Sequence, residues 1–311
     1  MGRLINGKWI KTSIVTSDKN GKYERLTRTF RDYVSQNSTK FFPEKNRYHL
    51  YVSYACPWAQ RTLIYRELKA LKDLISISVV HPDMLENGWI FNPIFPGATS
   101  DHLFNSTQLS EVYHRAQPDI STSVTVPILW DKKLNTIVNN ESSEIIRMFN
   151  SEFDLLTGNT DDYYPVELRD QINQFNEMIY ESVNNGVYKC GFAKTQDAYN
   201  KAVEELFTTL NALDKHLNGK NFLVGEKLTE SDIRLIPTLL RFDLVYVTHF
   251  KCNLRRIKDY KNLWRYTKNL YDLPAIKLTT NFDHIKRHYY YSHEMINPYR
   301  IIPIGPESVF E

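Results

Sequence analysis

Cysteine is scarce in this 311-residue chain, with only Cys56, Cys190 and Cys252. An odd number spread over so long a chain argues against a disulfide-built scaffold and suits a reducing compartment. Long apolar runs are also missing, since none approaches the ~20 residues that span a bilayer. The opening Met1-Gly-Arg-Leu-Ile-Asn-Gly-Lys-Trp-Ile lacks the apolar segment and small-residue cleavage site of a secretion signal, and Asn6 breaks the myristoylation pattern. The closing Ser308-Val-Phe-Glu311 is neither a peroxisomal nor a retention signal. A cytoplasmic location is therefore expected. Charge of one sign is in short excess: 39 basic against 36 acidic residues leave +3, too little to argue for nucleic acid or an anionic membrane. No repeat, Gly-rich phosphate loop or Gly-x-Ser-x-Gly elbow is present. What is plentiful is tyrosine, 20 residues against 16 phenylalanines. With 42% apolar and 24% charged residues the chain can bury a real core, and its length predicts two domains at about 150 residues each.

Residues 1–45 are polar and without sustained period, which predicts an N-terminal extension laid on the surface. Tyr48-His-Leu-Tyr-Val-Ser-Tyr54 is rich in β formers. Pro57 suits a first helical turn, and Ala59, Leu63, Ile64, Leu68 and Leu71 recur at helical spacing. Ile75–Val80 is a second strand, so the segment reads as a βαβ unit. The irregular stretch 81–107, with three prolines and two glycines, is long enough to expect a functional loop. A short helix over 108–117 follows. Thr125–Trp130 and Asn135–Asn139 read as strands joined by a charged turn, and 141–150 as a helix. Val126-Pro127 at a strand start is a candidate cis bond. Beyond Tyr163-Tyr-Pro165 the pattern is helical, over 165–184, 196–218, 229–247 and 257–271. Thr229 and Asp232 give the third of these a capping box. The last 30 residues, aromatic and proline-bearing, are expected to pack back across the protein. The predicted architecture is an α/β domain over 46–152 followed by an all-α domain with a C-terminal tail over 153–311.

Cys56 lies directly after a strand and before Pro57, which places its sulfur at a helix N-terminus where an anion is favoured. Thiolate is the reactive form of cysteine. A buried structural thiol is the alternative. A dithiol redox site would need cysteine three positions on, but Ala59 stands there. An enzyme disulfide at Cys56 must then be resolved by an external thiol, for which glutathione is the natural candidate. Glu141 and Ser142 open a second helix, whose N-terminus can hold a carboxylate while Glu141 meets an ammonium. That suits a γ-glutamyl group, and an acidic helix cap is the plainer reading. Thr125-Val126-Pro127 can offer backbone groups to an extended peptide.

The residues then match a known family. Cys56-Pro-Trp-Ala59, Glu86-Asn-Gly-Trp-Ile-Phe91, Val124–Trp130, Asn139–Phe149, Asn184–Lys189, Leu240–Asp243, Val245–Cys252 and Asn281–Tyr289 resemble the glutathionyl-hydroquinone reductases, the xi-class glutathione transferases of the omega-like branch. The likeness runs from about residue 46 to the C-terminus. It implies a thioredoxin-like domain followed by a glutathione-transferase helical domain, with glutathione as co-substrate, an aromatic quinol-type substrate and a homodimer. It implies Cys56 as nucleophile and Trp89, Ser123, Val124, Thr125 and Val126 as glutathione contacts, with Val126 giving the backbone pairing. Glu141 and Ser142 then form the γ-glutamyl clamp. Tyr188 becomes proton donor and acceptor near the hydroquinone, and Tyr246 and Tyr289 favour the thiolate and line the substrate site. Ser123 stands where family members often carry a basic residue, and Gln60 where His is frequent. His284, His288 and His293 lack the cysteine or carboxylate that would complete a metal site, so no metal and no bound cofactor are expected. Cys190 and Cys252 are expected to be structural. The rival readings are an omega-like thioltransferase or dehydroascorbate reductase, also using Cys56, and a non-catalytic glutathione-fold binding protein.

Overall fold

Tyr48–Val52 places five buried residues in a row, the pattern of a strand covered on both faces. The computed structural model describes residues 2–12, 15–24 and 27–306, so the closing Ser308-Val-Phe-Glu311 lies outside the described residues. The chain divides into two compact units, one from Met1–Ile14, Leu26–Asp161 and Thr279–His288, the other from Val15–Arg25, Asp162–Leu278 and Tyr289–Glu311.

In the first unit, β1 (Gly2–Ile5) and β2 (Lys8–Lys11) form an antiparallel hairpin. In the second, β3 (Thr16–Ser17) pairs with β4 (Tyr23–Glu24). The main sheet of the first unit holds β5 (Tyr48–Val52), β6 (Ser76–Val79), β7 (Ile128–Asp131) and β8 (Thr136–Asn139) in the order β6-β5-β7-β8. β5 and β6 are parallel and joined through α1 (Pro57–Leu68), whereas β7 and β8 are antiparallel additions. This is the thioredoxin-like arrangement the sequence implied. Leu63 and Ile64 of α1, Leu50 and Val52 of β5, and Ile145, Ile146 and Phe149 of α3 (Ser142–Ser151) are buried together with Ile128 and Leu129. Each such side chain contributes roughly 1.5–3 kcal/mol by leaving water. α2 (Leu109–Ala116) and the one-turn α4 (Asp154–Thr157) complete the unit up to residue 161. Val126–Pro127 is cis, and the strand expected from residue 125 starts only at Ile128, beyond the proline that cannot donate to the ladder.

The first 45 residues do more than cover a surface. Leu4, Val34 and Phe41 are buried. Leu4 exchanges backbone hydrogen bonds with Thr122, both 3.0 Å. Arg31 forms an antiparallel bridge to Asn139, and Asp32 N donates to Val138 O at 3.0 Å. The segment therefore extends the sheet beyond β8. No periodicity announces it because a single residue pair needs none.

The second unit is helical: α5 (Arg169–Ile179), α6 (Gly186–Gly191), α7 (Gln196–His216), α8 (Glu230–Arg241), α9 (Val247–His249), α10 (Lys261–Tyr271) and α11 (Pro274–Lys277). The expected capping box opens α8: Asp232 accepts from Thr229 N at 2.9 Å and Oγ1 at 3.1 Å. The same carboxylate accepts from Leu223 N and the Tyr266 hydroxyl, which ties α8 to α10. Two of the expected helices are not regular throughout. The one expected over 165–184 ends in a π-turn over Tyr180–Asn184, with Asn185 N–H donating five residues back to Tyr180 O, and α6, which no expected helix covered, follows it. Another over Phe242–Tyr246 separates α8 from α9. Such insertions cluster at functional sites. The expected tail contains a full helix, α12 (Phe282–Ser292), and the division of the chain falls inside it, between His288 and Tyr289. Among the described residues, no helix is long and apolar enough to cross a membrane.

Candidate active site

β5 ends at Val52 and the chain turns, with Ala55 N on Ser53 Oγ and Cys56 N on Ser53 O. Cys56 takes an extended conformation as N-cap of α1, and Pro57 occupies the first turn. Its sulfur is half-buried and donates to the carbonyl of Val126 at 3.7 Å. The thiol and the backbone before the cis-proline thus form one place. A peptide paired with Val126 would run alongside the sulfur.

Ser123, Val124 and Thr125 lead into that place, with Val124 and Val126 buried and Ser123 and Thr125 half-buried. Glu141 is the N-cap of α3; its carboxylate accepts from Ser143 N at 3.1 Å and Ser143 Oγ at 2.9 Å. Ser142, the first helical residue, is buried, and its hydroxyl has no hydrogen-bond partner among the described residues. A buried hydroxyl left so costs roughly 1–3 kcal/mol. At a helix N-terminus, where N–H groups point outward, it is suited to a carboxylate ligand. The acidic cap is therefore present at this helix start, beside a buried hydroxyl.

Trp89 is buried in the irregular stretch 81–107, stacked on His288 with ring centroids 4.7 Å apart and an interplanar angle of 23°. That stretch is pinned by the first part of α12. Arg287 forms a two-pronged ion pair with Asp83 at 2.7 and 2.8 Å, His284 Nε2 lies 2.8 Å from Pro96 O, and His288 Nδ1 lies 2.8 Å from Pro82 O. Two of the three histidines that hinted at a metal, His284 and His288, thus lie against backbone carbonyls, whereas His293 Nδ1 lies 3.1 Å from His249 Nε2; no group of metal-holding residues occurs among the described residues.

The three tyrosines lie in the second unit and meet there. Tyr289 Oη is 2.6 Å from Tyr188 Oη and 2.9 Å from Tyr246 Oη. Tyr246 and Tyr289 are buried and Tyr188 half-buried. Phe250 packs against all three rings. Burial pushes the phenols of Tyr246 and Tyr289 well above the usual range; for both, neighbouring tyrosine adds to the rise and the buried Arg241 guanidinium opposes it. Both therefore stay O–H at neutral pH, and the three hydroxyls are joined by hydrogen bonds. Tyr188 follows the first π-turn and Tyr246 ends the second.

Sequence reasoning missed Tyr113 and Asn140. The Tyr113 hydroxyl donates to Thr125 O at 2.9 Å and accepts from Thr125 N at 3.2 Å and Asn140 Nδ2 at 3.0 Å. Nothing distinguishes Tyr113 from other tyrosines on apolar helix faces, so no signal was available.

Two family models match the chain: Glutathione S-transferase, N-terminal domain, over residues 55–152 and Glutathione S-transferase, C-terminal domain, over residues 196–269. The chain is 52% identical over 313 residues to glutathionyl-hydroquinone reductase YqjG of Escherichia coli, covering 98% of this chain and 95% of that protein. It is 48% identical over 306 residues to glutathionyl-hydroquinone reductase PcpF of Sphingobium chlorophenolicum, covering 98% and 96%. Among solved structures, glutathione-bound YqjG matches with a TM-score of 0.91 at 49% identity, over 99% of this chain and 97% of that one. The glutathione-S-transferase Xi of Phanerochaete chrysosporium matches with a TM-score of 0.91 at 53% identity, over 94% and 95%.

Proposed function

This chain belongs to the glutathionyl-hydroquinone reductases, the Xi class of glutathione transferases, and we propose that it removes glutathione from glutathionyl-hydroquinones through a mixed disulfide at Cys56. The observation that carries this reading is the Cys56 sulfur at a helix start, 3.7 Å from the Val126 carbonyl, with alanine where a resolving thiol would stand.

The reaction takes two steps. Cys56 thiolate attacks the glutathione sulfur of the substrate, forming an S–S bond as the aryl C–S bond breaks. The electron pair goes to the ring carbon, which takes a proton supplied by Tyr188. Hydroquinone leaves. A second glutathione thiolate then attacks the mixed disulfide and releases oxidised glutathione and Cys56 thiolate. The proton lost when that glutathione ionises returns to Tyr188, and the sum is glutathionyl-hydroquinone plus glutathione giving hydroquinone plus oxidised glutathione. Val126 pairs with the peptide backbone, Glu141 and Ser142 hold the γ-glutamyl end, and Trp89, Ser123, Val124 and Thr125 complete the glutathione site. The unpartnered Ser142 hydroxyl supports that assignment. Tyr246 and Tyr289 back Tyr188 and line the quinol site. The reaction needs no bound cofactor, and three free thiols fit a reducing, cytoplasmic setting. The family likeness also carries over a homodimeric state.

Steady-state assay with a glutathionyl-hydroquinone and glutathione tests the reading. Cys56→Ala should reduce turnover to background while calorimetry still records glutathione binding. Undiminished turnover in that variant would sink the assignment. Faster wild-type turnover of a small mixed disulfide than of the glutathionyl-hydroquinone would favour the thioltransferase alternative.

A further inference from the structure

We propose that Tyr113 is a positioning residue for glutathione, its hydroxyl setting the spacing between the backbone-pairing segment at Val126 and the γ-glutamyl clamp at Glu141. This rests on the reading that those two segments hold glutathione.

One oxygen joins the two segments. A phenol offers one donor and two acceptor positions. Those of Tyr113 are fully used, toward Thr125 O, Thr125 N and Asn140 Nδ2. Thr125 immediately precedes Val126, and Asn140 immediately precedes Glu141. The side chain is completely buried, with the Phe30 ring edge-on at 6.0 Å. Phe30 also closes Asn140 from the other side: Phe30 N donates to Asn140 Oδ1 at 3.2 Å, and Asn140 N donates to Phe30 O at 3.1 Å. The amide is thus held by main chain at one end and by Tyr113 at the other. α2, which carries Tyr113, is in turn tied to Trp89 by Leu109 N on Trp89 O at 2.9 Å. A single short helix therefore braces three pieces of the proposed glutathione site.

None of the three partners of the Tyr113 hydroxyl is the reacting sulfur, which donates to Val126 O instead. The effect of the hydroxyl should appear in glutathione affinity and leave the chemistry of Cys56 unchanged. Tyr113→Phe keeps the ring and removes the oxygen. We expect the glutathione Kd, by calorimetry, and the KM for glutathione to rise about tenfold, while kcat at saturating glutathione and the rate of Cys56 alkylation by iodoacetamide stay within about twofold. Tyr48→Phe is the matched control, because Tyr48 is likewise completely buried and donates to Phe42 O at 2.8 Å. It should lower Tm with Kd unchanged. A wild-type Kd in folded Tyr113→Phe overturns the proposal, as does an equal rise in Kd in the Tyr48 control. If Tyr113→Phe does not fold, Asn140→Ala gives the same readout, and an unchanged Kd there again overturns it. A wild-type protein that binds no glutathione overturns instead the assignment of the site itself.

Discussion

Tyr289 Oη sits between two other phenol oxygens, and this fixes how the trio can behave. Each hydroxyl has a single proton to donate, and Tyr246 and Tyr188 also interact directly, so the three oxygens act as one linked set. Tyr246 and Tyr289 are buried and held neutral; Tyr188, half-buried, is the accessible member. A proton given up at Tyr188 is stabilised by the Tyr289 hydroxyl 2.6 Å away, since hydrogen bonding to a charged form favours it. Tyr188→Phe should lower kcat on a glutathionyl-hydroquinone by about 10²-fold or more, the usual contribution of a positioned acid. Glutathione-driven reduction of a small mixed disulfide needs no ring protonation and should stay within about twofold. An equal loss on both substrates would show that Tyr188 serves the site in some other way. Chemistry of this kind was legible at the residue scale only where a motif or a family likeness carried it. Cys56 announces itself by its strand–Cys–Pro context, whereas Tyr188, Tyr246 and Tyr289, far apart in sequence, do not announce that they will share hydrogen bonds.

At the scale of elements, β5 and β6 show what periodicity conveys and what it omits. Both strands were legible because apolar β formers cluster between turn signals. Their polar fastening was not: His49 on β5 reaches across to β6, with Nδ1 2.7 Å from Ser76 Oγ and Nε2 2.9 Å from Ser78 Oγ. Burial lowers the His49 pKa to about 3, well below the ~6.5 of an unfolded chain. The unfolded state therefore binds the proton first. The stability that neutral His49 contributes is complete above about pH 6.5 and is lost as pH falls toward 3. By about pH 4.5 the loss should reach about 2–3 kcal/mol. Chemical denaturation across pH 7 to 4.5 should show this slope in the wild type and its reduction in His49→Gln; an unchanged slope would place the acid sensitivity elsewhere. Other elements escaped for related reasons. The π-turns at Tyr180–Asn184 and Phe242–Tyr246 insert one residue into an otherwise helical pattern, a slip that apolar spacing tolerates without trace. In α12 the aromatic residues and histidines look like tail composition, although the spacing of His284 and His288 was a helical signal.

At the scale of the whole molecule, the scarcity of cysteine becomes a difference in access. All three thiols are free, so no covalent link constrains the unfolded chain and stability rests on the apolar cores and polar networks of the two units. Cys56 is half-buried, whereas Cys190 and Cys252 are 1% and 0% exposed. Burial, assisted by the neighbouring Cys190, also pushes the Cys252 thiol well above the usual range. Both access and thiolate character thus oppose reaction at that position. Brief treatment of the native protein with iodoacetamide near pH 8 should add one carboxamidomethyl group, located at Cys56 by peptide mass spectrometry. Treatment in guanidinium should add three. Native Cys56→Ala should add none on the same timescale. A second native adduct formed as fast as the first would mean that a buried thiol opens to solvent readily, and that reactivity in this chain is not confined to the helix start after β5. A single native adduct leaves that helix start as the one place where the folded molecule exposes a thiol to a substrate.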